Sequence, residues 1–415
     1  MATRVLLLTQ WFDPEPTFKG IVFARELVAS GFAVEVVTGF PNYPGGKLYP
    51  GYRIKWIQRE IIDGVEVTRV PLYPNHDQSA VKRALNYLSF SLASFVYGCF
   101  FAKRPDVIYA YHPPLTVGVT AVLLRFFRRI PVVYDIQDMW PDTLRATGMV
   151  RNERALSLVG KLCRWVYRHV DRIVVLSPGF MRLLTERGVP EQKIDVIFNW
   201  CNEAALSAPV GTVPEEFSDE SHFTILFAGN MGKAQAMDEV LRAAGLLLER
   251  APEVRFVLLG GGVEVERLKR VALDSNLGNV RFIKQVPMEQ VGGLLAASDA
   301  LLVHLKKDPL FEITIPSKTQ AYMSVGKPIL MAVDGDAAHL ITASGCGVTA
   351  ESGNAESIAM AALKLARSSS SELRAMGAAG RDYYMRNLSL SVGVAQFSSI
   401  FHASASAASR RQRSA

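Results

Sequence analysis

Short, β-branched apolar runs alternate with helix-forming stretches along this chain, and they do so twice. RVLLLTQ, AVEVVTG, DVIYAY, PVVYDI and RIVVLS mark the first half; FTILFAG, VRFVLLG, VRFIKQ, ALLVHL and PILMAV mark the second. Runs this short and this uniformly apolar are strands covered on both faces, and a parallel sheet flanked by helices supplies that cover. The pattern predicts an α/β protein of two Rossmann-like domains facing each other across a cleft. Between the halves, residues 207–222 (SAPVGTVPEEFSDESH) have the Ser, Pro, Gly and acid content of a linker. That places one domain over 1–206 and a second over 223–385, with a helix over 386–403 crossing back toward the first. Residues 404–415 (SASAASRRQRSA) are poor in apolar side chains and are expected to be disordered.

A length of 415 residues also exceeds what one hydrophobic core usually organises. The formal net charge of +7 favours an anionic partner: nucleic acid, a membrane surface or a phosphorylated substrate. Cys99, Cys163, Cys201 and Cys346 form no CxxC pair, so neither a zinc site nor a disulfide framework is implied, and a reducing cytoplasm fits. The opening MATRVLLLTQWFDPEP reads as a first strand, because its apolar run is too short for the core of a signal peptide.

Residues 84–102 (ALNYLSFSLASFVYGCFFA) carry no charge and are flanked by Lys82-Arg83 and Lys103-Arg104. The length approaches the roughly 20 residues of a bilayer span. Asn86, Ser89, Ser91 and Ser94 oppose a span, and DVIYAY follows at once as the next strand. A buried domain helix and a helix lying in the membrane interface are the two alternatives, and the Tyr and Phe beside basic flanks favour contact without crossing. LTVGVTAVLLRFFRRIP, ending in Arg125, Arg128 and Arg129, could extend the same basic apolar face.

Four segments bear on chemistry. GNMGKAQ follows the strand FTILFA and offers Gly229 and Gly232 for a tight turn, with Lys233 at an expected helix start where backbone amides and the helix dipole would hold a phosphate. LGGGVEVERLK, which includes Gly261, lacks the GxGxxG spacing of a dinucleotide site. YDIQDMWPD sets Asp135, Asp138 and Asp142 at a strand's carboxyl end, each either a base or ligand facing the cleft or a helix cap. FEITIPSKTQAYMSVGKPIL adds Glu312, Lys318 and Lys327. There is no HExxH, GxSxG or Walker lysine-serine pair, so metalloprotease, serine hydrolase and ATPase chemistry lack support.

Taken in order, LLLTQWFDPEP, VVTGFPNYPGG, VYDIQDMWPD, LFAGNMGKAQ, NVRFIKQVP and IPSKTQAYMSVGKPIL resemble glycosyltransferase family 4, with the GT-B fold, over residues 4–390. Within it the likeness runs to the N-acetyl-L-fucosamine transferases and colanic-acid-type transferases of bacterial surface-polysaccharide assembly. The resemblance implies transfer of a sugar, N-acetyl-L-fucosamine, from a UDP-sugar with retention of configuration and with no metal or other cofactor. The basic-flanked uncharged run is expected to set the chain peripherally on the cytoplasmic face of the inner membrane, and with Asp138 in the same domain it points to a polyprenyl-diphosphate-linked acceptor; basic residues that flank apolar helices rather than forming aromatic-interleaved stripes argue against a nucleic-acid partner. Lys318, with Lys233, would then neutralise the donor diphosphate as the leaving group departs. Gly229, Asn230, Gly232, Gly261, Pro316 and Ser317 would line the same site, and Gly20 would admit the sugar or acceptor close to backbone, with Lys19 adding positive charge at that edge. Asp138 stands where relatives place an acceptor-side base or orienting group, with Asp13 and Glu15 as second choices.

The segment around Lys318 departs from the wider family. Ala321 stands where the second of two family glutamates is expected, and Glu312 matches the first only with a one-residue shift. Asn230 replaces the usual arginine and Gln235 the usual lysine. Two other classes remain alternatives: a nucleotide-sugar epimerase of the same fold, and a catalytically silent glycan-binding protein.

Overall fold

A computed structural model of the chain describes residues 2–75, 80–150, 152–207, 214, 217, 219 and 221–413. It divides into two compact units, 1–198 with 393–415, and 199–392. Most of the expected linker, 207–222, lies outside the described residues.

The first unit carries eight strands: β1 (Arg4–Leu8), β2 (Ala33–Gly39), β3 (Gln58–Ile62), β4 (Val65–Val70), β5 (Val107–Tyr111), β6 (Val132–Ile136), β7 (Arg172–Val175) and β8 (Ile194–Val196). Their order is β3-β4-β2-β1-β5-β6-β7-β8, with only the β3–β4 pair antiparallel. Every residue of β5 and β6 is buried, as expected of predominantly apolar runs, with Asp135 of β6 the one charged exception. The edge strand β3 is never buried, matching its alternation of charged and apolar residues. β1 pairs with β2 on one side and β5 on the other, so the chain leaves this point in both directions and opens a crevice at the strands' carboxyl ends.

The second unit repeats the device with β9 (Phe223–Ala228), β10 (Val254–Leu259), β11 (Val280–Ile283), β12 (Ala300–His304), β13 (Ile329–Ala332) and β14 (Gly347–Thr349). All pairs are parallel and the order is β11-β10-β9-β12-β13-β14, placing the reversal between β9 and β12. Phe227, Val240, Leu247, Phe256, Leu302, Leu330, Ile358 and Leu365 lie in its core.

Two expected boundaries move. Residues 199–206 belong to the second unit: Leu206 presses its carbonyl on Gly292, where a Cβ would lie 2.1 Å from that oxygen. Glu203 accepts hydrogen bonds from Tyr384 Oη (2.7 Å) and Leu390 N (3.0 Å), tying both ends of the unit together. The tail is the larger correction, because the last helix runs from Leu390 to Arg413 and makes residues 404–413 helical. Its alanines favour helix, and packing fixes it: Phe397 meets Phe23 and Tyr109, Phe401 meets Phe32, and His402 stacks on Phe32 at 4.6 Å.

The uncharged run forms the helix Ala80–Phe100. Asn86, Phe90, Ser94 and Tyr97 are buried at helical spacing. Val81, Leu85, Leu88, Leu92 and Phe100 form an exposed stripe on its other side, 50 to 70% accessible. Leu123, Phe126 and Phe127 of the neighbouring helix Leu115–Arg128 are exposed too, and Phe127 meets Phe95 and Phe100 edge-on. Among the described residues no helix is long and apolar enough to cross a membrane.

Candidate active site

In the second unit the site begins where β9 ends. Gly229, with φ +145°, donates its N–H to Leu259 O, and Met231 donates to Gly261 O, so the turn after β9 is laced to the turn after β10. The two turns run backbone against backbone. A Cβ on Gly260 would sit 2.0 Å from Gly229 O, and one on Gly262 would sit 2.3 Å from Met231 O. The triple glycine therefore serves loop packing, and it is Gly260 and Gly262, not Gly261, that the close approach requires. Gly232 donates its N–H to Gln235 Oε1 at 3.0 Å, leaving the Asn230 amide as the N–H of this turn without a partner among the described residues.

Lys318 closes the site from the other side. It is the first residue of the helix Lys318–Val325, after the exposed Ser317 and the half-buried Pro316. Its Nζ stands 3.4 Å above the centroid of Phe227, a β9 residue, and a Cβ on Gly229 would come within 3.2 Å of that Nζ. No carboxylate pairs with this ammonium among the described residues, and burial alone lowers its pKa to about 7. Tyr322, one turn on, fixes the helix to the strand: its Oη accepts from Ala228 N at 2.9 Å. Behind them His304, the last residue of β12, donates Nδ1–H to Gln235 O at 2.6 Å, and its buried Nε2 has no partner among the described residues. Burial lowers the His304 pKa, so the ring is neutral and adds no charge beside Lys318. Neither Tyr322 nor His304 stands out in the sequence, since each reads as core.

The remaining candidates separate. Lys233 is exposed in a single 3-10 turn, Lys233–Gln235, and the helix expected there begins only at Met237, after Ala236 in the left-handed region. Glu312 ends the short helix Pro309–Glu312, where its carbonyl abuts Gly335, and its carboxylate makes no bond among the described residues. Lys327 lies at the opposite end of the strands, preceding β13 and influenced by Asp299. Among the described residues no cluster of His, Cys, Asp and Glu has the arrangement of a metal site.

In the first unit the three aspartates at the end of β6 and just beyond it part company. Asp135 is fully buried and accepts from Lys19 Nζ (2.7 Å), Tyr109 Oη (2.6 Å) and Gln137 Nε2 (2.6 Å). Lys19 is itself fully buried and paired with Asp135, so the positive charge expected from sequence at the rim is absent there; burial lowers its pKa. Asp142 pairs with Arg187 at 2.7 Å. Asp138 makes no side-chain bond among the described residues and caps no helix, and burial raises its pKa above the usual carboxylate value. Of the three it alone is uncommitted.

Gly20, Asp13 and Glu15 prove to be architectural. A Cβ on Gly20 would lie 2.1 Å from Asp13 Oδ2, the oxygen that accepts from Ile21 N at 2.6 Å and starts the helix Ile21–Ala29. The space beside Gly20 thus holds the Asp13 carboxylate rather than lying open. Glu15 accepts from Asn42 N and Tyr43 N, each at 2.7 Å, and from Phe12 N at 3.3 Å, and burial pushes its pKa up to about 7. His112, just after β5, carries no signal in the sequence. It is buried edge-on against Trp140, its Nδ1 lacks a partner among the described residues, and burial lowers its pKa to about 3, so it is neutral.

Comparison with known proteins accounts for both units. Residues 22–200 match the family described as glycosyl transferase 4-like domain, and residues 213–383 match glycosyl transferases group 1. A probable glycosyltransferase, WbjE of Pseudomonas aeruginosa, is 27% identical over 56% of this chain and 58% of its own length. The putative colanic acid biosynthesis glycosyl transferase WcaI of Escherichia coli is 27% identical over 72% of this chain and 75% of its own length. Among solved structures, Anabaena Alr3699/HepE in complex with UDP superposes with a TM-score of 0.68 at 15% identity, covering 97% of this chain and all of that one.

Proposed function

Because the chain belongs to glycosyltransferase family 4 and has the GT-B fold, we propose that it moves a sugar from a UDP-sugar to a polyprenyl-diphosphate-linked saccharide, with retention of configuration and without a metal. The observation that carries this reading is Lys318: a half-buried ammonium with no carboxylate partner among the described residues, set between Phe227 and Gly229. An anion arriving there would supply the missing charge. As the bond from the anomeric carbon to the β-phosphate oxygen breaks, negative charge grows on that phosphate, and Lys318 opposes it where a divalent ion would otherwise be needed. The acceptor oxygen bonds to the same face of the anomeric carbon, and Asp138 takes the acceptor proton, its basicity raised by burial.

The UDP in the HepE complex supports the choice of nucleotide, and the likeness to WcaI supports polysaccharide assembly. N-acetyl-L-fucosamine is the sugar we propose. The exposed stripe of helix Ala80–Phe100 would rest in the bilayer interface, with Lys103 and Arg104 among anionic headgroups at the cytoplasmic face of the inner membrane. Titration of the purified chain with UDP, followed by UDP release from a panel of UDP-sugars, tests the donor. Binding of UDP with slow release from UDP-N-acetyl-L-fucosamine is expected; no affinity for UDP at millimolar concentration would sink the reading. Co-sedimentation with anionic vesicles, reversed by high salt, tests the membrane claim.

A further inference from the structure

The start of helix Ala80–Phe100 carries polar groups that neither its membrane-facing stripe nor its core contacts use. Asn86 accepts from Gln10 Nε2 at 2.5 Å, donates to Tyr73 O at 2.7 Å and lies 3.5 Å from Asn42 Oδ1. Gln10 follows β1 and Asn42 follows β2, so this helical turn is locked at the carboxyl edge of the sheet, the edge that also carries Asp138 after β6. Arg83 and Tyr87 flank Asn86 on that helix, about 6 Å apart along its axis. Tyr87 lies within electrostatic reach of Arg83, Tyr43 and Asp138. Neither the Arg83 guanidinium nor the Tyr87 hydroxyl has a hydrogen-bond partner among the described residues.

Helical geometry sets these two against the apolar stripe. Counting about 100° per residue, Leu85, Leu88 and Leu92 leave the helix within about 40° of Val81, whereas Arg83 and Tyr87 leave it about 200° and 240° round. A helix resting on the bilayer by its stripe would hold Arg83 about one helix diameter, ~10 Å, higher, at headgroup depth. That is the depth at which the diphosphate of a membrane-borne isoprenoid lies.

We propose that Arg83 and Tyr87 form the acceptor subsite: Arg83 grips a phosphate of the lipid diphosphate, and Tyr87 steers the attached sugar to Asp138. The inference rests on the lipid-linked acceptor proposed above. A guanidinium binds phosphate in a two-pronged fashion, and one turn of helix between grip and guide matches the span from a sugar's phosphate to its reacting hydroxyl. Two of the three parts ride on one helix, so seating that helix on the membrane would position the carrier's phosphate and sugar together.

Farnesyl diphosphate, farnesyl monophosphate and farnesol serve as probes, with binding to the full chain followed by calorimetry and UDP titrated separately. The wild type should prefer the diphosphate over farnesol. Arg83→Gln should weaken the diphosphate about 10-fold or more, the usual scale for a lost charged hydrogen bond, and leave UDP affinity and Tm unchanged. Arg83→Met, which keeps the apolar stem, should do the same, and it replaces Arg83→Gln should that variant fail to fold; Arg83→Lys should retain part of the preference. Wild-type affinity for the diphosphate in both Arg83→Gln and Arg83→Met overturns the subsite. A wild type that binds UDP but does not distinguish farnesyl diphosphate from farnesol overturns the lipid-linked acceptor reading, and the subsite with it.

Discussion

Lys318 holds its ammonium 3.4 Å above the ring of Phe227, and no carboxylate answers that charge among the described residues. The ring face supplies part of the missing stabilisation, and burial removes more than the ring returns, so the pKa falls to about 7. A cation kept under such conditions is costly to the fold and available to a ligand.

Replacing Lys318 by Ala should lower turnover by about 10² to 10³, because the leaving-group charge it opposes develops mainly in the transition state. The Tm should hold or rise, since a desolvated charge is lost. Initial rates beside thermal melts check this, and an unchanged rate would demote Lys318 to a buried structural residue.

The same lysine predicts a pH dependence. Its folded pKa, about 7, lies below the ordinary 10.5, so between these values the unfolded chain binds more protons than the folded one. Its contribution to stability is therefore least favourable below pH 7 and improves as pH rises toward 10.5. Diphosphate binding needs the charged form, so UDP affinity should decline as pH rises above 7 while proton uptake accompanies binding. Lys318→Arg should abolish that decline. Calorimetry in buffers of different ionisation enthalpy measures the proton directly.

Asp138→Asn should cut transfer by about 10², the scale of a positioned proton acceptor, with UDP affinity little changed. Its carboxylate makes no internal bond among the described residues, so the melting temperature should not fall. A lower Tm with an unchanged rate per folded molecule would return Asp138 to a structural role.

Glu15→Ala should cost about 2 to 4 kcal/mol, because Asn42 N, Tyr43 N and Phe12 N lose their acceptor together. Its folded pKa, about 7, lies above the ordinary value of 4.5, so its contribution to stability weakens as pH rises from 4.5 through 7. Urea unfolding of the variant and wild type at pH 5 and pH 8 separates the two effects, and equal stabilities at both values would exclude the clamp.

Local composition determined the strands and the two-unit α/β plan, while the family was read from the resemblance of an ordered set of motifs. Strands buried on both faces are predominantly apolar, so RVLLL, VIYAY and VVYDI show themselves without any knowledge of their neighbours. The motif around Gly229 was legible because a sharp turn straight after a buried strand favours glycine, and the one around Lys318 because it falls in the same ordered set. The tail misled because Ala and Ser carry little hydrophobicity, and what orders it is Phe397 and Phe401 meeting Phe23, Tyr109 and Phe32, residues hundreds of positions away. Tertiary structure alone decided which polar groups were committed. Lys19 and Asp135 are 116 residues apart and cancel each other in the core; Glu15 is spent on the amides of Asn42 and Tyr43; Asp138, three residues after Asp135, is left uncommitted. A side chain's chemistry depends on whether its charge is already answered, and that answer comes from parts of the chain that only folding brings within hydrogen-bond reach.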